Sequence, residues 1–175
     1  LEKANASSTL TLSGTNTYTG DTTISAGTLT IGGTGTLEGG SYGGAISNSG
    51  TFIYSSTTDQ TLAGVISGTG VLTKAANSTL TLTNTNTYTG LTTVSAGTLT
   101  LDQASSTTGT VIANTAAVTV NGGILNLADN TETIGALTLT AGSITGASKT
   151  LTGSSYTLNP GEGVSVSIQP ILAGS

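Results

Sequence analysis

The sequence predicts an all-β fold wound as a parallel β-solenoid. Three observations carry that expectation: a 23-residue segment that returns 70 residues later, short alternating Thr/Leu runs at near-regular spacing, and very few charged residues. Residues 9–31 read TLTLSGTNTYTGDTTISAGTLTI and residues 79–101 read TLTLTNTNTYTGLTTVSAGTLTL. Eighteen of the 23 positions are identical. Three of the changes are conservative: Ser13 to Thr83, Ile24 to Val94 and Ile31 to Leu101. Lys3 and Lys74 precede the copies, which gives repeat boundaries of about 3–31 and 74–101. Self-similarity on this scale marks a repeat architecture.

The alternating runs supply the strands. Residues 9–12, 28–31, 51–54, 71–73 and 98–101 place apolar and threonine side chains in turn, so Leu10 and Leu12 share one face and their threonines the other. Similar runs follow at 118–120, 124–127, 137–139 and 164–166. Clusters such as Ser13-Gly14-Thr15-Asn16 and Asn121-Gly122-Gly123 break them into short pieces. Many runs recur after roughly 19 to 23 residues, a coil-sized spacing.

An antiparallel sandwich competes for this pattern, but it uses hairpins and an aromatic-rich core. One Phe and five Tyr in 175 residues favour a solenoid. In a solenoid, equivalent strands stack in parallel about 4.8 Å apart. Leu is then expected over Leu and Asn over Asn. At about 20 residues per coil the chain makes eight or nine coils, a rod of roughly 40 Å. Residues 103–117 are less regular and are expected to form a looser coil or a lateral loop. No linker interrupts the pattern, so residues 1–175 read as one continuous domain.

Composition excludes several function classes. Charged residues make up 6% of the chain, against about 25% in ordinary soluble domains. A net charge of −5 with three cations, Lys3, Lys74 and Lys149, argues against nucleic-acid binding, which needs clustered positive charge. No apolar run approaches the roughly 18 residues of a membrane-spanning helix, so direct membrane insertion is not expected. Without Cys, stability must come from burial and main-chain hydrogen bonds.

The two copies resemble the autotransporter-associated β-strand repeat, the passenger-associated transport repeat of type V secreted proteins. The shared core is Leu-Thr-Leu, then Asn-Thr-Tyr-Thr-Gly, Thr-Thr, and Ala-Gly-Thr-Leu. It lies at residues 16–20 with 26–29, and at 86–90 with 96–99. The segments at 120–125 and 133–137 resemble the degenerate coils that flank such repeats. The resemblance implies a right-handed parallel β-helix displayed at or shed from a bacterial outer membrane, serving as stalk, adhesive surface or vectorially folding segment. It carries no shared catalytic residues.

Chemistry-bearing residues are sparse. No His or Cys means no usual metal site, Ser-His-Asp triad or thiol nucleophile, and no cofactor or metal is expected. Paired carboxylates can cleave glycosides, and Asp129 with Glu132 is the nearest pair in sequence, read as a solvated turn. Asp21 gives way to Leu91 in the second copy, so the repeat does not need it. An enzyme is therefore not expected. The distinctive positions are structural ladder candidates: Asn16, Tyr18, Gly20 and Gly27, with Asn86, Tyr88, Gly90 and Gly97. Asn is expected to bond nearby backbone in a turn, with Tyr over the coil edge. Ser105-Ser106 and Ser154-Ser155 read as exposed loops.

Two further expectations concern surfaces. The threonines from Thr79 to Thr89 alternate without a break, and the run should turn a corner after Leu82. Outward threonines on a flat face could order water, which would suit ice binding, so the alternative function is a ligand-binding solenoid, for carbohydrate or ice, using the Thr/Asn-rich face. The segment ending Pro170-Ile171-Leu172-Ala173-Gly174-Ser175, placed before Leu1-Glu2-Lys3, nearly recreates the junction at 64–74. That suggests further copies of the repeat or head-to-tail stacking, because open solenoid ends leave main-chain edges unpaired. The expected role is thus a non-catalytic structural or adhesive module, extracellular or on the cell surface, with self-association and a surface or matrix ligand as partners.

Overall fold

The computed structural model describes residues 1–103 and 110–174. All of its strand pairings are parallel, and the solenoid makes about eight turns. The first face is the clearest. Its inward column runs Leu10, Leu29, Phe52, Leu72, Thr92, Val118, Leu137 and Tyr156, each residue paired in register with the next. Eight rungs at about 4.8 Å span roughly 34 Å along the axis. The strands form because Leu, Ile and Val fill the interior on alternate positions while threonine tolerates the pleated outer surface. Leu29, Leu72, Val118 and Leu137 are all buried, and each interior leucine is worth about 2 kcal/mol of apolar transfer.

Strand lengths differ from the short runs expected. Val71–Leu82 is one 12-residue strand and Glu132–Thr145 one of 14. The first passes round one corner and the second round two, with register shifts in the neighbouring ladders where each turns from the first face to the second. Val71–Leu82 does end at Leu82, where the alternation was expected to turn. A second face follows that corner, where Gln60, Leu80, Leu99, Leu125 and Ile144 stack inward. The third face holds Glu2–Lys3, Thr22–Ile24, Ile46–Asn48 and Ile66–Ser67. Ladder pairing reappears there in residues 132–134, which pair with 151–153.

The two repeat copies do not sit one above the other. From Leu10, three rungs lead to Leu72 on the same face. Leu80, the equivalent of Leu10, lies eight residues further along the same strand, on the second face. A spacing of 70 residues is therefore three coils plus one face. Leu does lie over Leu within each copy, at Leu10–Leu29 and Leu80–Leu99. Asn does not lie over Asn: Asn16 pairs with Leu37, and the main chain of Asn86 bonds to Val111. The expectation of identical stacking fails because coil length varies, from 19 residues between Leu10 and Leu29 to 26 between Thr92 and Val118.

Glycines let the coils close at their corners. A Cβ on Gly50, Gly70 or Gly90 would stand 2.5, 2.4 or 2.1 Å from the carbonyl oxygen of Gly27, Gly50 or Gly70 respectively. Only a residue without a side chain permits that approach.

Outward on the first face, one column reads Thr11, Thr30, Ile53, Thr73, Thr93, Thr119, Thr138 and Thr157. Within the stretch expected to be a looser coil, Val111, Ile112 and Ala116 are buried. Residues 104–109, with Ser105-Ser106, lie outside the described residues.

Candidate functional site

Three sets of polar side chains organise the molecule, each built from the repeat or from an interruption of it.

The first is a buried lysine corner. Lys3 and Lys74 point inward in the apolar phase of their strands and are 5% and 0% exposed. Each Nζ donates to the carbonyl two residues on, Asn5 or Ala76. Each also reaches the next coil, at Ala26 (3.1 Å) or Ala96 (3.4 Å). The following glycine, Gly27 or Gly97, has positive φ (74° and 64°). An added Cβ there would stand 2.5 or 2.7 Å from the Nζ. The repeat thus needs Lys and Ala-Gly together, because the ammonium occupies the space a side chain would fill. Lys74 also lies 5.8 Å from the centre of the Tyr54 ring. Burial lowers its pKa from 10.5 to about 8, against a smaller opposing effect from Asp59.

The second set is the Asn-x-Tyr turn. The Asn16 amide donates to the Gly14 carbonyl (2.8 Å) and to Thr36 of the next coil (3.0 Å). The Asn86 amide donates likewise to Asn84 (3.0 Å) and Val111 (2.8 Å), and its Oδ1 accepts the Ile66 N–H (2.7 Å). Tyr18 and Tyr88 then fold back onto the threonine four residues on: Tyr18–Thr22 at 3.0 Å and Tyr88–Thr92 at 2.7 Å. Tyr88 is fully buried, so it is a core residue and not an edge cover. Burial pushes its pKa up, and that of Tyr42 up to about 12. Gly20 has nothing within 4 Å of an added Cβ, whereas its counterpart Gly90 meets Gly70.

The third set was not read from the sequence. Between Ile66–Ser67 and residues 132–134 the third face lacks a regular ladder; main-chain bonds such as Thr87 N–H to Ile66 (2.9 Å) and Asn86 N–H to Val111 (3.0 Å) persist, and side chains add further axial bonds. Asn86 links Ile66 to Val111, as above. Glu132 then accepts the Val111 N–H on Oε2 and the Ile112 N–H on Oε1, both at 2.9 Å. Its carboxyl is buried, so the expectation of a solvated turn for Asp129 and Glu132 is corrected. Only Asp129 faces solvent, 3.6 Å from Lys149. Burial raises the Glu132 pKa from 4.5 to about 7, partly offset by the two amides. Gln60 acts in the same way on the second face. Its Oε1 accepts the Leu37 N–H (2.8 Å) and its Nε2 donates to the Leu37 carbonyl (3.2 Å). The available signal was phase: Gln60 alternates with Leu62, and Glu132 with Ile134, which puts polar groups at inward positions.

Chemically these groups are occupied. Both Glu132 carboxylate oxygens accept from main-chain amides, those of Val111 and Ile112. Among the described residues no cluster of three or more His, Cys, Asp or Glu could hold a metal ion, and no helix is long and apolar enough to cross a membrane.

The arrangement defines a parallel β-solenoid whose corners are built by a recurring Lys, Asn-x-Tyr and Ala-Gly unit. The family model of the passenger-associated transport repeat matches residues 3–31 and 72–101. The chain therefore carries two such repeats, and the repeat is one of secreted or surface-displayed passengers. No curated protein and no solved structure matches the chain.

Proposed function

We propose that this chain is a rigid, non-catalytic segment of a secreted bacterial surface protein, acting as stalk or adhesive surface at the outer membrane. The observation that carries the reading is that four inward polar side chains are spent on holding one coil to the next. Lys74, Asn86, Gln60 and Glu132 all bond main-chain groups of neighbouring coils. A catalytic group must instead be free to reach a substrate.

Association with further coils fits the same scaffold. Rung Thr9–Leu12 and residues 155–158 share one in–out alternation, so an added copy would extend both the apolar and the threonine columns. Sedimentation at several concentrations tests this, with a strictly monomeric rod excluding self-stacking. The functional test is adhesion of chain-coated beads to bacterial and host-cell surfaces, alongside release of sugars from a polysaccharide panel. Retained beads without released sugar are expected. Catalysed sugar release would overturn the reading.

A further inference from the structure

The outward surface of the first face is more uniform than a strand requires. Of the eight residues in its central column, only Ile53 is not threonine. A neighbouring column opens Thr9, Thr28, Thr51 before turning to Val71. The inward residues beside the threonines vary freely, from Ile31 to Tyr54, Lys74 and Val94, while the outward one stays the same. Strand propensity would be met as well by Val, Ile or Tyr, and solubility better by Lys and Glu. No charged side chain stands in either column. Asp21, Asp59 and Asp102 lie outside the strands, in the turns between faces.

The register fixes two spacings. Threonines of successive coils in the central column lie about 4.8 Å apart, and a second threonine stands about 6.6 Å away on the same rung where Thr9 accompanies Thr11 and Thr28 accompanies Thr30. Each threonine presents a hydroxyl, which both donates and accepts, beside a methyl group. The main-chain ladder holds the array rigid, so a matching surface binds it without ordering loose groups. The absence of charge removes ionic ligands. Sugar-ring stacking has no platform, because Phe52 and Tyr54 on these rungs point inward and are fully buried. What remains is an uncharged solid whose own hydroxyl oxygens repeat along a line at the spacing of the threonine column.

We propose that the first face binds ice, through the threonine column centred on Thr93 and Thr119. This activity is independent of the stalk role proposed above.

The test is inhibition of ice recrystallisation by the 175-residue chain, with far-UV circular dichroism and thermal melting as controls for folding. The unaltered chain is expected to slow grain growth in a concentration-dependent way. Thr93→Lys and Thr119→Lys are expected to abolish the effect, while Thr81→Lys and Thr100→Lys on the second face retain it. Should a lysine variant fail to fold, Thr93→Val keeps the shape and removes the hydroxyl, and a partial loss is expected. An inert wild-type chain, folded first-face variants as active as wild type, or equal damage from the second-face variants would each overturn the proposal. So would first-face-dependent binding to crystalline chitin or cellulose by a chain that leaves ice untouched.

Discussion

Gly27 and Gly97 hold the same place in the repeat yet turn different corners of the solenoid. Above Gly27 the chain continues to Gly50, and a Cβ there would meet the Gly27 carbonyl at 2.5 Å. Above Gly97 it continues to Gly123, where a Cβ would lie 2.9 Å from the Gly97 carbonyl. The lysine beneath each glycine is bonded in the same local pattern. The repeat is therefore a corner unit, not a coil unit, and any corner of the rod can use it. Its stability is local, which suits a rod in which each coil touches only its neighbours.

Gly20 and Gly90 separate local sequence from local crowding. Neither has positive φ, so backbone strain does not enter. Gly90→Ala forces a Cβ to 2.1 Å from the Gly70 carbonyl, whereas Gly20→Ala meets nothing within 4 Å. Gly90→Ala is expected to cost more than about 2 kcal/mol, and Gly20→Ala to stay within about 0.5 kcal/mol. Urea unfolding midpoints read the difference, and equal losses would show that the two corners are equally packed.

Tyr88 and Tyr18 allow a similar contrast. Thr92 is fully buried and bonds the Tyr88 hydroxyl. Thr22 has a second partner, the Tyr42 hydroxyl at 2.8 Å. Tyr88→Phe is expected to destabilise by about 1–2 kcal/mol, because a buried hydroxyl loses its partner. Tyr18→Phe, at a partly buried site with Tyr42 still bonded to Thr22, is expected to cost less than half as much. Thermal melting of the two variants decides.

How much of this was legible in the sequence depends on which residues are considered. Leu10, Leu29, Leu80 and Leu99 revealed strands and their one-coil stacking because alternation is a local property of the chain. The relative placement of the copies was not legible. Seventy residues divide as readily into three coils of 23 as into three shorter coils and a face, and only the register through Phe52 and Leu72 distinguishes them. Asn16 and Asn86 were readable as turn residues, but their next-coil partners Thr36 and Val111 were not, since those depend on the number of residues in each coil. Glu132 was misread because its acidity outweighed its phase. Acids are almost always exposed, and nothing local announced two amides of another coil waiting for an acceptor.

Glu132 ties stability to pH. Its pKa is raised from 4.5 to about 7, chiefly by burial, so the native state binds a proton more readily than the unfolded chain. The resulting stability is present in full below about pH 4.5 and is lost as pH rises through about 7, a change of order 3 kcal/mol. Glu132→Gln is expected to flatten the unfolding free energy between pH 4.5 and 7. Glu132→Ala strands the Val111 and Ile112 amides and removes the same titration, so its cost is expected to be greatest near pH 4.5 and to shrink as pH rises through about 7. Urea titrations at several pH values test both, and an unchanged slope in Glu132→Gln would assign the dependence to another group.

Lys74 works in the opposite sense on the alkaline side. Its pKa is lowered from 10.5 to about 8, chiefly by burial and against a smaller contribution from Asp59. The unfolded chain therefore holds this proton more tightly than the native one. The corresponding stability is present above about pH 10.5 and is lost as pH falls through about 8. Together with Glu132 this places the least stable condition near pH 7 to 8, with stability rising on either side. The alkaline rise is limited by Tyr42 and Tyr88. Burial raises both pKa values, so their native-state advantage is lost as pH climbs beyond 10. Lys74→Met keeps the aliphatic stem against Tyr54 but removes the titrating group and the bonds to Ala76 and Ala96. It is expected to abolish the gain between pH 8 and 10 while leaving the acid limb set by Glu132 unchanged. Denaturation midpoints across pH 5 to 10 for wild type, Lys74→Met and Glu132→Gln separate the two limbs. If both variants flatten the same limb, the two buried groups are coupled across the core and do not titrate independently.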